Sequence, residues 1–163
     1  MLTTIEIDRP PSQVYAYATD PARFPYWQPD VRRVEVHPDG RFTTVRRIAG
    51  ADRGMLQQVT ESSAPSRWSA VALAGPIRPA ASITVEPLEG GARSRVTFTL
   101  DFTAHGPADL LLPLVRRLAA RTAPRSYARL KALLEAVPRH PLHGVGPSRP
   151  TPPSSASDPE AGP

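Results

Sequence analysis

The sequence predicts an α+β fold: a curved antiparallel β-sheet wrapped around a long C-terminal α-helix, with two short helices after the first strand. Three observations carry this. From Val31 to Thr103 the chain is a succession of period-two segments separated by short turns, the mark of an antiparallel sheet with one dry face. From Leu111 to Val137 the apolar period changes to that of a helix. Between the first strand and the run of strands lies a stretch punctuated by prolines, which leaves room only for short helices.

Leu2–Ile7 alternates, with Thr and Ile favouring a strand. Asp8-Arg9-Pro10-Pro11 stops it, and proline suits a first helical turn, so residues 12–18 read as a short helix with Val14, Tyr17 and Ala18 on one face. Asp20-Pro21 pairs a capping residue with proline at the first helical position and opens a second short helix, ended by Pro25 or Pro29. Val34 and Val36 alternate with Arg33 and Glu35, and Pro38-Asp39-Gly40 is a hairpin signal leading into Phe42–Ile48. Residues 49–54 read as a turn. Met55–Thr60, Trp68–Leu73, Ile83–Leu88 and Arg95–Thr103 follow as strands, separated by Ser63-Ala64-Pro65, Gly75-Pro76 and Glu89-Gly90-Gly91. In the last strand Val96, Phe98, Leu100 and Phe102 face one way and Thr97, Thr99, Asp101 and Thr103 the other. Leu111, Val115, Leu118, Thr122, Leu130, Leu133 and Val137 are expected on the inward face of the final helix, with a kink near 120–124 imposed by Pro124. Pro138 ends it. Residues 1–138 are thus expected to form one domain, and 139–163, rich in Pro, Ser and Gly, a disordered tail.

Composition narrows the function classes. The chain has 163 residues, a net charge of +5 and no Cys, which rules out a disulfide framework, a thiolate metal site and a thiol nucleophile. Arginine supplies nearly all the cations, Lys131 being the one lysine, and the basic pairs are scattered. The N-terminus lacks a signal-peptide pattern, and no apolar run reaches the length of a membrane span, so a soluble cytoplasmic protein is expected. There is no P-loop and no G-x-G-x-x-G, and no cofactor is expected. His140 and His143 have a metal-like spacing but no third ligand.

Residues 14–31, VYAYATDPARFPYWQPDV, together with VTESSAPSRW at 59–68, TFTLDF at 97–102 and a helix ending LKALLE, resemble the polyketide cyclase/dehydrase branch of the START-like (SRPBCC, Bet v 1-like) superfamily over about residues 2–137. The resemblance implies a helix-grip fold, with a ligand cavity between the sheet and the long helix. It also implies that Phe24, Tyr26 and Trp27 sit in a short-helix lid at the cavity mouth. There they either close over an apolar ligand or, for Phe24 and Trp27 at i and i+3, peg the lid to the sheet. Tyr26 faces the other way, towards the surface or rim.

The inward rows expected from alternation are Met55, Gln57 and Val59; Trp68, Ala70 and Ala72; Ile83 and Val85; and Val96, Phe98, Leu100 and Phe102. Gln57 is the polar member; a register slip of one residue would put it in water. Of Arg46 and Arg47, one faces inward if the sheet has a single solvent face, and an inward Arg could grip a carboxylate; alternatively both heads lie in solvent on an edge strand. Tyr17 offers a phenol on the lid-side helix. The candidate binding residues are therefore Tyr17, Phe24, Trp27, Arg46, Met55, Gln57, Trp68, Ala70, Ala72, Ile83, Phe98, Leu100, Phe102, Leu111, Val115 and Leu118.

No catalytic constellation stands out: the carboxylates do not cluster, Asp20 is committed to a helix cap, and His37 and His105 sit at element ends. The expected partner is a small hydrophobic ligand (lipid, isoprenoid or polyketide-like), bound by a monomer or weak dimer with no specific nucleic acid. The resemblance also allows a cyclase/aromatase in which Tyr17, Arg46 or Gln57 polarises a carbonyl. A third reading puts a macromolecular partner on the basic helix face of Arg117, Arg121 and Arg129.

Overall fold

A computed structural model describes residues 1–136 and Pro138. The seven strands are β1 (Leu2–Ile7), β2 (Val31–Val36), β3 (Arg41–Ile48), β4 (Ala51–Ser63), β5 (Arg67–Ala72), β6 (Ile77–Leu88) and β7 (Arg93–Ala104). They form one antiparallel sheet in the order β1-β7-β6-β5-β4-β3-β2, so every neighbour but the β1–β7 pair is joined by a short connection. Between β1 and β2 lie helix α1 (Pro11–Ala18), a 3-10 turn (Pro21–Arg23) and the short helix α2 (Phe24–Trp27). A second 3-10 turn, Gly106–Leu111, leads into the long helix α3 (Leu112–Ala136), which packs across the concave side of the curved sheet. This is the α+β helix-grip arrangement the sequence predicts.

Local chemistry explains the starts and stops. Pro11 begins α1, and the Asp20 side chain accepts from the Ala22 amide at 3.0 Å to cap the next turn. The β2–β3 hairpin turns through Asp39 and Gly40, both at positive φ (62° and 71°), the backbone a tight hairpin requires. In α1 the side chains that are buried are Val14, Tyr15 and Ala18, with Tyr17 only partly buried. Tyr15 is placed by its hydroxyl, 3.1 Å from both Ser62 Oγ and the Arg67 carbonyl.

Two strands are longer than alternation predicts. β4 begins at Ala51 and β6 at Ile77, because pairing with β3 and β7 recruits residues of poor strand propensity: Asp52 and Gly54 oppose Arg47 and Val45, and Pro79 and Ala80 oppose Phe102 and Asp101. Pro79 and Pro87 fit within β6 because β5 pairs only with residues 80–84, leaving β6 with an open side at both prolines.

Helix α3 keeps Leu130 and Leu133 of the expected inward face against the core but corrects that face over its first turns. Its buried residues are Ala123, Ser126, Tyr127, Leu130 and Leu134, a single stripe at i, i+3, i+4, i+7 and i+11. Leu111 and Leu118 are instead exposed (52% and 44%), and Val115 is half-buried. The leucines satisfy helical spacing too, but they mark the opposite side of the helix. The helix runs unbroken through the exposed Pro124, where a kink is expected from sequence.

The C-terminal turns of α3 are tied to β1 by hydrogen bonds. Glu135 Oε1 accepts from the Asp8 amide at 2.8 Å and from Lys131 Nζ at 2.9 Å, and Lys131 also donates to the Glu6 carbonyl. Burial acts to raise the Glu135 carboxyl, but the Asp8 amide and the Lys131 ammonium outweigh it and hold it below the usual range. The expected tail, 139–163, and the His140/His143 pair lie outside the described residues.

Candidate functional site: the concave face and its cleft

Strand register assembles the site from rungs. Phe42, Gln57 and Ala72 lie side by side across β3, β4 and β5, and Thr44 opposes Met55. Val59, Ala70, Ala81 and Leu100 form the next rung, and Trp68, Ile83 and Phe98 another. Gln57 is buried, so the register puts it inward, where its Nε2 donates to Thr44 Oγ1 at 3.0 Å. A buried amide needs such a partner.

Arg46 shares the inward row of β3 with Phe42 and Thr44, and its head is half-buried rather than free in solvent. It donates to Asp30 Oδ2 at 2.7 Å and Gln28 Oε1 at 2.5 Å, so it fastens the segment after α2 onto β3. Arg47 takes the other direction and pairs with Asp52 at 2.9 Å; that hydrogen bond is the main cause holding the exposed Asp52 carboxyl below its usual range. Tyr17 carries the Arg23 guanidinium 4.9 Å above its ring.

Side chains fill much of the space between sheet and helix. Phe24 meets Trp27, Phe42 and Trp68 edge-on, with ring centroids 5.8, 5.7 and 6.1 Å away. Trp27 reaches Phe98 at 6.2 Å, and Phe98 stacks on Tyr127 of α3. Phe24 and Trp27 are thus pegs that lock α2 to the sheet, each under 5% exposed, whereas Tyr26 is 59% exposed. Each such ring, once buried, contributes about 1.5–3 kcal/mol through the water it gives up.

Open space remains at the other end of α3. A cleft of ≈350 Å³ is walled by Met1, Leu100, Phe102 and Ala120, with Asp101 and Arg116 as its polar groups. Of the residues singled out from sequence, Leu100 and Phe102 line it. Met1, Asp101, Arg116 and Ala120 were missed: alternation puts Asp101 on the outward row, and only the fold brings the chain start beside the first turns of α3. A second depression, ≈480 Å³, is lined by Arg32, Arg33, Val45, Asp52 and Gly54.

Two polar atoms in the aromatic core stand out. Trp27 Nε1 is buried with no hydrogen-bond partner among the described residues. Burial pushes the Tyr127 phenol up to about 12, against the opposing charge of Arg46. At neutral pH it is therefore a hydrogen-bond donor and not a base. Tyr127 was also missed from sequence, although it lies four residues after Ala123 and three before Leu130, on the true inward stripe. Among the described residues no three His, Cys, Asp or Glu side chains group together to hold a metal ion, and no helix is long and apolar enough to cross a membrane.

Comparison with known proteins agrees with this architecture. A START superfamily protein from Mycobacterium smegmatis superposes with a TM-score of 0.70 at 17% identity, over 83% of this chain and 96% of that one. TTHA0849 from Thermus thermophilus gives 0.69 at 22% identity, over 83% and 97%. The Zhui aromatase/cyclase from Streptomyces sp. R1128 gives 0.70 at 13% identity, over 83% and 92%. At these identities the likeness is one of fold. No curated protein matches the chain. The family model described as polyketide cyclase / dehydrase and lipid transport matches residues 2–135. With nearly all of the described chain accounted for by that model, and with a START-like helix grip in its structure, this protein belongs to the polyketide cyclase / dehydrase and lipid transport family.

Proposed function

We propose that the protein binds an apolar or amphipathic small molecule in the cleft between β7 and the first turns of α3. The observation that carries this is the cleft wall: Leu100, Phe102, Met1 and Ala120 offer apolar surface, while Arg116 can orient a polar end. Its ≈350 Å³ falls at the lower end of the range of small-molecule sites, about 300–1,000 Å³. An apolar chain carrying one carbonyl or carboxylate fits that distribution, Arg116 taking the polar end; Asp101 is already held by the Met1 ammonium at 3.2 Å.

A second reading, ring closure of a polyketide-like chain, is favoured by one observation: the unpartnered Trp27 Nε1, a buried donor that could polarise a carbonyl. Arg46 and Gln57 support it less, since Asp30, Gln28 and Thr44 already occupy them.

The test is native mass spectrometry of protein purified from its own host, with bound small molecules extracted and identified. A stoichiometric adduct that disappears in Ala120→Trp, a substitution at an exposed helix position that fills the cleft, supports binding there. An adduct unaffected by Ala120→Trp moves the ligand elsewhere. If no adduct is found and a broad apolar library fails to raise the melting temperature, the binding reading is wrong. Turnover of a poly-β-keto substrate, lost in Trp27→Phe, would favour the second reading.

A further inference from the structure

The outward face of α3 is unusual for a helix of a globular domain. Leu114 and Leu118 are 65% and 44% exposed, and just before them Leu110 and Leu111 are 85% and 52% exposed. Leu114, Leu118, Arg121, Arg125 and Arg129 follow one another at spacings of four, three, four and four residues, which makes one stripe. That stripe lies opposite the buried stripe of Ala123, Ser126, Tyr127, Leu130 and Leu134. Arg117 flanks it, and all of these arginines are exposed. The leucine end is followed by the arginine end within about 10 Å, seven residues at ~1.5 Å each. From Leu112 to Ala128 the helix contains no Asp or Glu.

We propose that this face docks the protein on an anionic lipid bilayer, the N-terminal leucines of α3 entering the acyl boundary and Arg117, Arg121 and Arg125 meeting the headgroups. The combination of apolar and cationic side chains on one helix face is what an interfacial helix needs, and a cationic patch gains from anionic lipid. The alternatives satisfy only half of it. A nucleic acid would neutralise the arginines and leave four leucines in water. A second copy of the chain would cover the leucines but bring further arginines and no carboxylate from this helix stretch. The chain beyond Pro138 has Leu142 and Val145 as its large apolar residues, too few to cover the patch. The docking surface is separate from the cleft and stands whether or not the cleft binds a ligand. Arg116 belongs to the cleft, on a different side of the helix from Leu114 and Leu118, so the bilayer would lie against the back of α3.

The experiment is co-sedimentation of the full chain with phosphatidylcholine vesicles, with and without phosphatidylglycerol. The protein is expected to pellet with the anionic vesicles and far less with the neutral ones. Leu114→Ser/Leu118→Ser and Arg121→Gln/Arg125→Gln are each expected to weaken partitioning on the order of ten-fold. All four positions are exposed, so the melting temperature should stay near that of the parent, and Ala120→Trp should leave vesicle binding intact. Failure of the parent protein to pellet with anionic vesicles overturns the proposal, as does equal binding to neutral ones. So does undiminished binding by the leucine variant, which would reduce the contact to charge alone. A dimer that dissociates in the leucine variant, with no vesicle binding, would assign the face to self-association instead.

Discussion

Phe98 of β7 and Tyr127 of α3 lie stacked, with ring centroids 3.9 Å apart and planes 13° from parallel. This contact joins β7, the strand next to the β1 edge of the sheet, to the inward stripe of the helix. It separates two regions of the concave face: the aromatic core beneath α2, and the open cleft beside the first turns of α3.

Stacking and burial make Tyr127 a sensor of alkaline unfolding. Burial pushes its phenol from 10.0 up to about 12 in the folded state. The raised value means that below pH 10 both states hold the proton and stability is unaffected. Between pH 10 and 12 the unfolded chain ionises first, so stability falls as pH rises and the loss is complete above the folded value. Urea melts should show wild type losing about 2 kcal/mol more than Tyr127→Phe across that interval. At neutral pH Tyr127→Phe should be close to neutral, since it keeps the stack, whereas Tyr127→Ala should cost about 3–5 kcal/mol. A Tyr127→Phe protein with the same alkaline limb as wild type would show that the phenol is not the titrating group.

The contact between Arg46 and Asp30 predicts a different signature. The guanidinium bridges Asp30 and Gln28, two acceptors on the segment that leaves α2, and both members of the ion pair are largely shielded. Arg46→Ala should cost about 1–2 kcal/mol, more than a surface pair, because Asp30 is left without its cation. Arg46→Lys should recover only part, since an ammonium does not span two acceptors as a planar fork does. Amide exchange should quicken at the Arg47 amide, which donates to the Asp30 carbonyl at 2.7 Å. If Arg46→Ala left both stability and exchange unchanged, the bridge would be incidental.

How far these contacts were legible in sequence depends on whether local pattern or distant pairing decides them. The alternation of Val96, Phe98, Leu100 and Phe102 is local, and the structure keeps all four on one face. The proline starts of α1 and of the Pro21 turn are likewise local chemistry. Gln57 and Arg46 were ambiguous because a one-residue slip reverses a strand, and only pairing to Ala72 and Val31 fixes the register. The face of α3 was misread for a physical reason. Two stripes satisfy the same period, and the one expected inward over the first turns exposes its leucines, Leu111 and Leu118, while Ala123, Ser126 and Tyr127 meet the sheet. A rule that buries the leucines has no means of choosing otherwise from the helix sequence alone. The cleft was legible only in part: Leu100 and Phe102 come from strand alternation, but Met1, with Asp101 paired to its ammonium, and Arg116 and Ala120 join them through the β1–β7 pairing and the packing of α3.

Trp27 links the core to the ligand question. Its ring is 3% exposed and contacts Phe24 and Phe98, yet Nε1 has no partner among the described residues. An unmet buried donor costs about 1–3 kcal/mol, so removing it returns part of what the lost indole volume takes away. Trp27→Phe should therefore change stability by less than about 1 kcal/mol, while Phe24→Ala, which deletes a ring meeting three others, should cost about 3–5 kcal/mol. The chain has two tryptophans, so Trp68→Phe leaves Trp27 as the single indole reporter. In that variant a ligand whose oxygen accepts from Nε1 should shift the emission of Trp27, and a hydrocarbon of the same length should not. Equal responses to both would place the ligand's polar end away from Trp27, towards Arg116 at the cleft, and would remove the motive for assigning carbonyl polarisation to the indole.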